Sequence, residues 1–331
     1  MCVLGLASGA AGAVEDPLSA PASVSAPETT ARESLAEAWW TGPLLAPNAS
    51  TFPPGHALVE TYVYDVITDG RYDRARRRQA ATGEHDLGSL TYLIYGLTDR
   101  VAVGLLPRFG FNEPAGAPNS SAPGMGDIGA QLQYGLTSFH EGGWMPATAV
   151  VIAETFPTGR YDRLQRASDG FGAGAYTTAV SWYSQQYLWL RNGRILRVRL
   201  DLTYALSSSV PVQDASVYGT SGGFRGRAYP GDSFNADAAA EYSVTRNWVL
   251  ATDLVYQHNG STRVAGTRAG AAGALGFANL QFGSSEYLAL APAVEFNWSA
   301  RVGVIAGARI FFAGRNTTAS VTPAVAINLV F

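Results

Sequence analysis

The sequence predicts an all-β protein, a transmembrane antiparallel up-and-down β-barrel of about 12 strands, and three observations predict it. Apolar and polar residues alternate with period two over a series of segments, most of them ~9–11 residues long, the length of a tilted membrane-crossing strand. The links between segments tend to alternate short and long. Aromatic residues gather at both ends of the segments. Composition agrees. The chain has 331 residues, 47% hydrophobic and only 15% charged, against ~25% charged in an ordinary soluble domain. A net charge of −3 excludes nucleic-acid binding through a general basic field, and charges this sparse exclude a disordered chain. The single cysteine, Cys2, excludes a disulfide framework and a cysteine-based metal site.

Along the chain, residues 1–13 are small and apolar and end in Ala11-Gly12-Ala13, which resembles the cleavage site of an export signal lacking its basic start. Residues 14–54 are rich in Ala, Pro, Ser and Thr and read as a flexible lead-in, with a helical turn possible over 28–40 ahead of Gly42-Pro43. No uncharged apolar run reaches the ~18 residues of a spanning helix; residues 269–280 are far too short. The barrel is assigned to residues 55–331.

Its clearest strand covers residues 196–206, with Leu196, Val198, Leu200, Leu202, Tyr204 and Leu206 on one face and Arg197, Arg199, Asp201 and Thr203 on the other. The code recurs at 128–134, 234–242, 248–256, 288–298 and, up to Phe331, at the C-terminus. Segments start near residues 56, 86, 100, 126, 147, 174, 195, 232, 247, 287, 301 and 320; those near Val59 and Leu90 are apolar on both parities. Short links follow most even segments, including Gly96-Leu97-Thr98-Asp99, the Asn192-Gly193 hairpin signal, Ser243-Val244-Thr245-Arg246 and Ser299-Ala300. Long ones follow odd segments, over 69–84, 113–124, 158–170, 208–231 and 259–286. This asymmetry is that of outer-membrane barrels. Tyr95, Tyr134, Trp189, Tyr242, Trp298 and Phe331 mark one aromatic girdle, and Tyr64, Phe109, Phe156, Tyr204, Tyr256 and Phe312 the other. A soluble β-sandwich also alternates, but its strands are shorter and its loops lack this asymmetry. Slipping residues 196–206 by one would turn Arg197 and Arg199 into lipid, at about 2–4 kcal/mol each.

Short repeats support a reused hairpin. Tyr95-Gly96-Leu97-Thr98 returns as Tyr134-Gly135-Leu136-Thr137, and Gly70-Arg71-Tyr72-Asp73-Arg74 as Gly159-Arg160-Tyr161-Asp162-Arg163. Gly124-Met125-Gly126-Asp127-Ile128 leading into Tyr134-Gly135-Leu136-Thr137, Phe156-Pro157-Thr158-Gly159, Gly231-Asp232-Ser233-Phe234-Asn235 and Gly314-Arg315-Asn316-Thr317 then resemble the outer-membrane transporters labelled "MetA-pathway of phenol degradation". The likeness runs in order over about residues 52–331. It implies an outer-membrane barrel in a Gram-negative bacterium that takes up hydrophobic or aromatic molecules.

Gly124-Met125-Gly126-Asp127-Ile128-Gly129 has the dinucleotide pattern but opens a strand, leaving no helix N-terminus for a pyrophosphate. His56, His85, His140 and His258 lie in or near loops without metal-ligand spacing. No cofactor, metal ligand or catalytic residue is assigned. The candidate lumen residues are Asp127, Gln131, Gln133, Arg197, Arg199, Asp201, Asp237, Glu241, Asp253, Glu295 and Arg309. They either line a conducting path or neutralise one another as a plug, with Trp39-Trp40 or the lead-in as the candidate occluding segment. Twelve strands fall between a side-chain-filled and a water-filled barrel, so the expected pore is narrow. Arg76, Arg77 and Arg78 in the first long loop read equally as a clamp for lipopolysaccharide phosphates or as a solvated loop. The expected partners are the lipid bilayer, lipopolysaccharide, a small-molecule solute and, through the Phe331 segment, the barrel-assembly machinery. The expected function is passive passage of small apolar or aromatic solutes; a lipid-modifying enzyme and a purely structural barrel are the alternatives.

Overall fold

The structure, a computed structural model, describes residues 32–269 and 275–331. The export-signal reading of 1–13, Cys2 and the first part of the lead-in lie outside the described residues. Eighteen strands follow in order: β1 (Ala57–Tyr72), β2 (Arg78–Thr98), β3 (Val101–Leu106), β4 (Arg108–Glu113), β5 (Gly124–Met125), β6 (Ile128–Thr137), β7 (Ala147–Phe156), β8 (Thr177–Trp189), β9 (Ile195–Ser207), β10 (Val210–Gln213), β11 (Phe224–Tyr229), β12 (Ser233–Ser243), β13 (Trp248–Asn259), β14 (Thr262–Ala269), β15 (Leu275–Phe282), β16 (Ser285–Ser299), β17 (Val302–Arg315) and β18 (Thr317–Val330).

Fourteen of them form one antiparallel sheet, and β1 pairs with both β18 and β2, so the sheet closes on itself. β3 and β4 are one barrel strand interrupted at Pro107, which cannot donate to the ladder, and β5 runs on into β6. The barrel therefore has twelve crossings, neighbours in space being neighbours in sequence. Even residues of β1 and odd residues of β9, β12, β13 and β16 point inward. Outward stand Val63, Ile152, Leu200, Leu250, Leu254, Leu290, Val325 and Ile327, all exposed. A wall of exposed aliphatic side chains around a buried charged interior is the reverse of a soluble protein, and it is stable only against acyl chains. Leu200→Arg, near the middle of β9, is expected to destabilise the barrel in lipid by about 2–4 kcal/mol. Urea unfolding in vesicles checks this, and an unchanged midpoint would place Leu200 away from lipid.

The structure departs from the periodicity in three places. Residues 69–84 are mostly strand: β1 and β2 stay paired out to Tyr72↔Arg78, across an irregularity between Thr68 and Gly70, leaving 73–77 as the turn. The Asp73 carboxylate closes it by accepting from the Ala75 and Arg77 amides at 2.7 and 2.9 Å. Polar residues there lack a greasy face, so alternation stops while the backbone ladder continues. The stretches 208–231 and 259–286 are likewise not simple loops, since β10, β11, β14 and β15 form a four-stranded sheet of their own. Finally, two girdle aromatics face inward. Trp189 donates its indole N–H to the Glu33 carbonyl at 2.8 Å, and Tyr64 lines an open pocket at the long-loop end. The other marked aromatics hold the exterior rims; Trp298, Phe312, Tyr204 and Phe331 are about half exposed or more.

Candidate functional site

The inner wall carries two kinds of residue: charged or amide side chains, and small ones such as Ala239, Ala251, Ala289, Ala291 and Ala293. The small ones make room for a segment of this same chain. Residues 33–51, read from composition as part of a loose lead-in, are seated inside the short-turn half of the barrel. Glu33 begins the course beside the β8–β9 turn, its amide donating to the Gly193 carbonyl and its carboxylate accepting from Arg194 and the Ser243 hydroxyl. The Trp39 amide donates to the Arg246 carbonyl at 3.3 Å, and the Arg246 guanidinium lies 4.2 Å over the Trp39 ring.

Wall carboxylates then take the segment's backbone amides, which would otherwise be buried without partners. Glu295 Oε2 accepts from Thr41 at 2.7 Å and Gly42 at 3.2 Å. Asp253, midway along β13, accepts from Leu44, Leu45 and Ala46 at 3.0–3.3 Å. Carbonyls are served from β9 and, farther around the wall, from β6. Arg199 donates to the Ala46 carbonyl at 2.6 Å, and Gln133 donates to those of Asn48 and Ala49, both at 3.1 Å. Apolar packing completes the seal, with Leu44 against Ala251, Ala291, Ala293, Ile305 and Ala326, and Ala49 against Ala147, Val151 and Tyr183. The chain then descends to the β2–β3 turn, where the Thr51 hydroxyl donates to the Asp99 carbonyl at 2.7 Å.

Below this arch sits a buried ion cluster. Arg197 grips Glu241 with two parallel hydrogen bonds, the Nε–Oε2 one being 2.6 Å; Arg199 Nε lies 3.3 Å from the same oxygen. Trp40 stacks under the Arg197 guanidinium at 4.6 Å. One carboxylate between two guanidiniums leaves the triad with a net positive charge. Asp201 and Asp237 stand directly opposite each other in register, and neither Asp201 oxygen has a hydrogen-bond partner among the described residues.

Of the sequence candidates, Gln133, Arg197, Arg199, Glu241, Asp253 and Glu295 thus meet around one segment. Asp201 and Asp237 face the central space beyond it. Gln131 lies across Gly104 on the inner wall. Arg309 is stacked 5.2 Å over Phe311. Asp127 does something different: its carboxylate accepts from the Gly159 and Ala173 amides at 2.9 and 2.6 Å, tying loops over the long-loop end. Another loop tie is Asp169, whose carboxyl the Ser121 amide and hydroxyl hold below the usual carboxylate range. Arg76 pairs with Glu286 and Arg78 with Asp69, so two of the three loop arginines are already engaged by carboxylates.

Sequence reasoning missed Glu60, Tyr62, Tyr92 and Gln185 as inward residues. Glu60 and Tyr62 sit in the segment of mixed parity; only pairing of β1 with β18 settles which side is in. It also missed the backbone of residues 41–49 as the partner of the wall carboxylates. The alanines at inward positions were the available signal.

Above the arch, the long-loop half of the lumen holds a cavity of about 640 Å³. Tyr64, Arg108, Asn112, Thr155 and Thr177 line it from the wall, and Phe171, Val217 and Tyr218 from the loops. Gly124 leaves the Phe171 ring its place: an added Cβ there would fall 2.1 Å from the ring. Among the described residues no group of His, Cys, Asp or Glu is arranged to hold a metal ion.

No protein-family model matches the chain. No curated protein matches it either. Among solved structures, it is similar to an outer membrane channel from Pseudomonas putida F1, at 16% identity over 87% of this chain and 100% of that one, with a TM-score of 0.65. Weaker likenesses are the β domain of a Bordetella autotransporter (12% identity, 84% and 100% covered, TM-score 0.43) and a TodX monoaromatic hydrocarbon channel mutant (9%, 91% and 97%, TM-score 0.38). The first shows a shared fold. It is the barrel fold that the family resemblance implied.

Proposed function

We propose that the protein is an outer-membrane channel for small apolar or aromatic solutes, with the long loops outside the cell and the short turns in the periplasm. One observation carries the reading: a lumen divided into an aromatic-lined cavity at the long-loop end and a polar lower half narrowed by residues 33–51. Tyr64, Phe171 and Tyr218 offer ring faces to an apolar guest, and Arg108, Asn112, Asp86 and Asp127 are the polar groups around them. At about 150 Å³ for a benzene-sized guest, the volume has room for about four such molecules or one bicyclic solute. Passage is passive, and residues 33–51 limit the lower exit. The TodX structure is, by its description, a monoaromatic hydrocarbon channel, and the resemblance to phenol-degradation transporters runs in the same direction.

The test is entry of toluene, against glucose, into vesicles that hold the refolded protein and carry an outer leaflet of lipopolysaccharide, which slows toluene's own crossing. Toluene flux above empty vesicles with little glucose flux is expected, and Thr155→Trp, which fills the cavity from its wall, should lower the toluene flux several-fold. Equal flux of both solutes, or no change in the variant, would overturn the reading. Release of fatty acid from outer-leaflet lipid by the same vesicles would favour the enzyme alternative.

A further inference from the structure

The small sheet at the long-loop end repeats the barrel wall beneath it. Its order β10-β11-β14-β15 follows β9-β12-β13-β16 strand for strand, each pair joined by a short connection. It is therefore an upward continuation of that arc of the wall. One face is a core of Val210, Val212, Phe224, Ala228 and Val264, packed on Tyr161 and Tyr218 from loops over the lumen. The other face must then look away from the barrel axis, above the lipid-facing exterior of β9, β12, β13 and β16.

That outer face carries Arg225, Arg227 and Arg263, all exposed, together with Tyr229 and a Phe277 that is 94% exposed. Tyr229 pairs directly with Arg263 across the strands, and the Arg263 guanidinium lies 4.4 Å over its ring. Arg227 is steadied by the Ser209 hydroxyl at 2.8 Å. The four strands contain no Asp or Glu, although the whole chain has more acidic than basic residues, 26 against 23. Among the described residues no carboxylate forms a salt bridge with any of the three arginines, in contrast to Arg76 and Arg78.

Height decides what meets this face. Arg263 follows the girdle residue Tyr256 by seven positions, which at ~3.3 Å per residue and a ~40° strand tilt places it roughly 15–20 Å above the acyl boundary. A phospholipid headgroup layer is only about 5–7 Å deep. We infer that the outer face of the β10-β11-β14-β15 sheet binds the phosphorylated core sugars of lipopolysaccharide. The three guanidiniums bind phosphate through paired, charge-assisted hydrogen bonds, and Tyr229 and Phe277 offer ring faces to sugar. The inference rests on the outer-membrane reading above.

The experiment uses the full chain in detergent, with rough lipopolysaccharide, the same material after removal of its phosphates, and phosphatidylglycerol as probes. Folding is monitored by the heat-dependent shift of the barrel band on a gel. The variant R225S/R227S/R263S is expected to bind phosphorylated lipopolysaccharide about tenfold or more weakly than wild type. It should match wild type on the dephosphorylated material and on phosphatidylglycerol. The lysine variant R225K/R227K/R263K should fall between, since it keeps charge without the planar fork. Unchanged affinity in the serine variant, an equal loss on phosphatidylglycerol, or a loss found instead in R76S/R77S/R78S would overturn the assignment. Failure of the outer-membrane reading is recognised separately: the wild-type chain would then neither insert into vesicles nor show the heat-shifted band.

Discussion

Removing residues 33–51 while leaving the rest of the chain intact is expected to raise single-channel conductance several-fold. The segment occupies the lower half of the lumen, and its amides are held by Asp253 and Glu295. Without it a strip of alanine wall and a ring of charges would face water, a path wide enough for hydrated ions. The closed ladder between β1 and β18 does not include the segment, so the barrel is expected to survive its loss, at reduced stability. Planar-bilayer recordings decide the matter. The double variant D253A/E295A offers a milder route to the same end, with frequent openings expected because two anchors of the arch are gone. Conductance indistinguishable from wild type in both would mean that the constriction lies elsewhere, in the loops over the long-loop end.

Glu241→Ala should be the most destabilising single substitution. Glu241 is fully buried and answers both Arg197 and Arg199, so its removal leaves two guanidiniums without their shared counter-charge. Breaking a buried pair from one side costs about 3–5 kcal/mol, and here two cations share the loss. A large fall in the urea midpoint in micelles is expected for Glu241→Ala. The fall should be smaller for Glu241→Gln, which keeps an acceptor. Replacing the cluster together, as R197M/R199M/E241L, should recover much of the stability, because well-packed apolar residues substitute for buried ion pairs at little cost. Equal stability of Glu241→Ala and wild type would show that water, not protein, solvates these arginines.

Much of the barrel was legible because lipid imposes a strict code. A strand between acyl chains and a polar lumen must alternate, and Leu196 to Leu206 on one parity with Arg197, Arg199 and Asp201 on the other admits one register. The same parity found Gln133, Asp253 and Glu295. It failed where the lipid code is absent. Above the girdle, β10, β11, β14 and β15 answer to one another and to the loops packed on them. In β1, Glu60 and Tyr62 alternate with residues that are neither clearly greasy nor clearly polar.

A twelve-crossing barrel, its inside and outside and the end that carries the long loops are written in the chain locally, because hydrophobic burial against lipid reads a period-two pattern. What fills the interior is settled by long-range contacts instead. Whether Asp253 and Glu295 face water or hold the backbone of Thr41 to Ala46 depends on contacts between residues more than two hundred positions apart. A carboxylate that accepts from buried amides looks, in sequence, like one that lines a pore. Backbone amides have no side-chain letter to announce them.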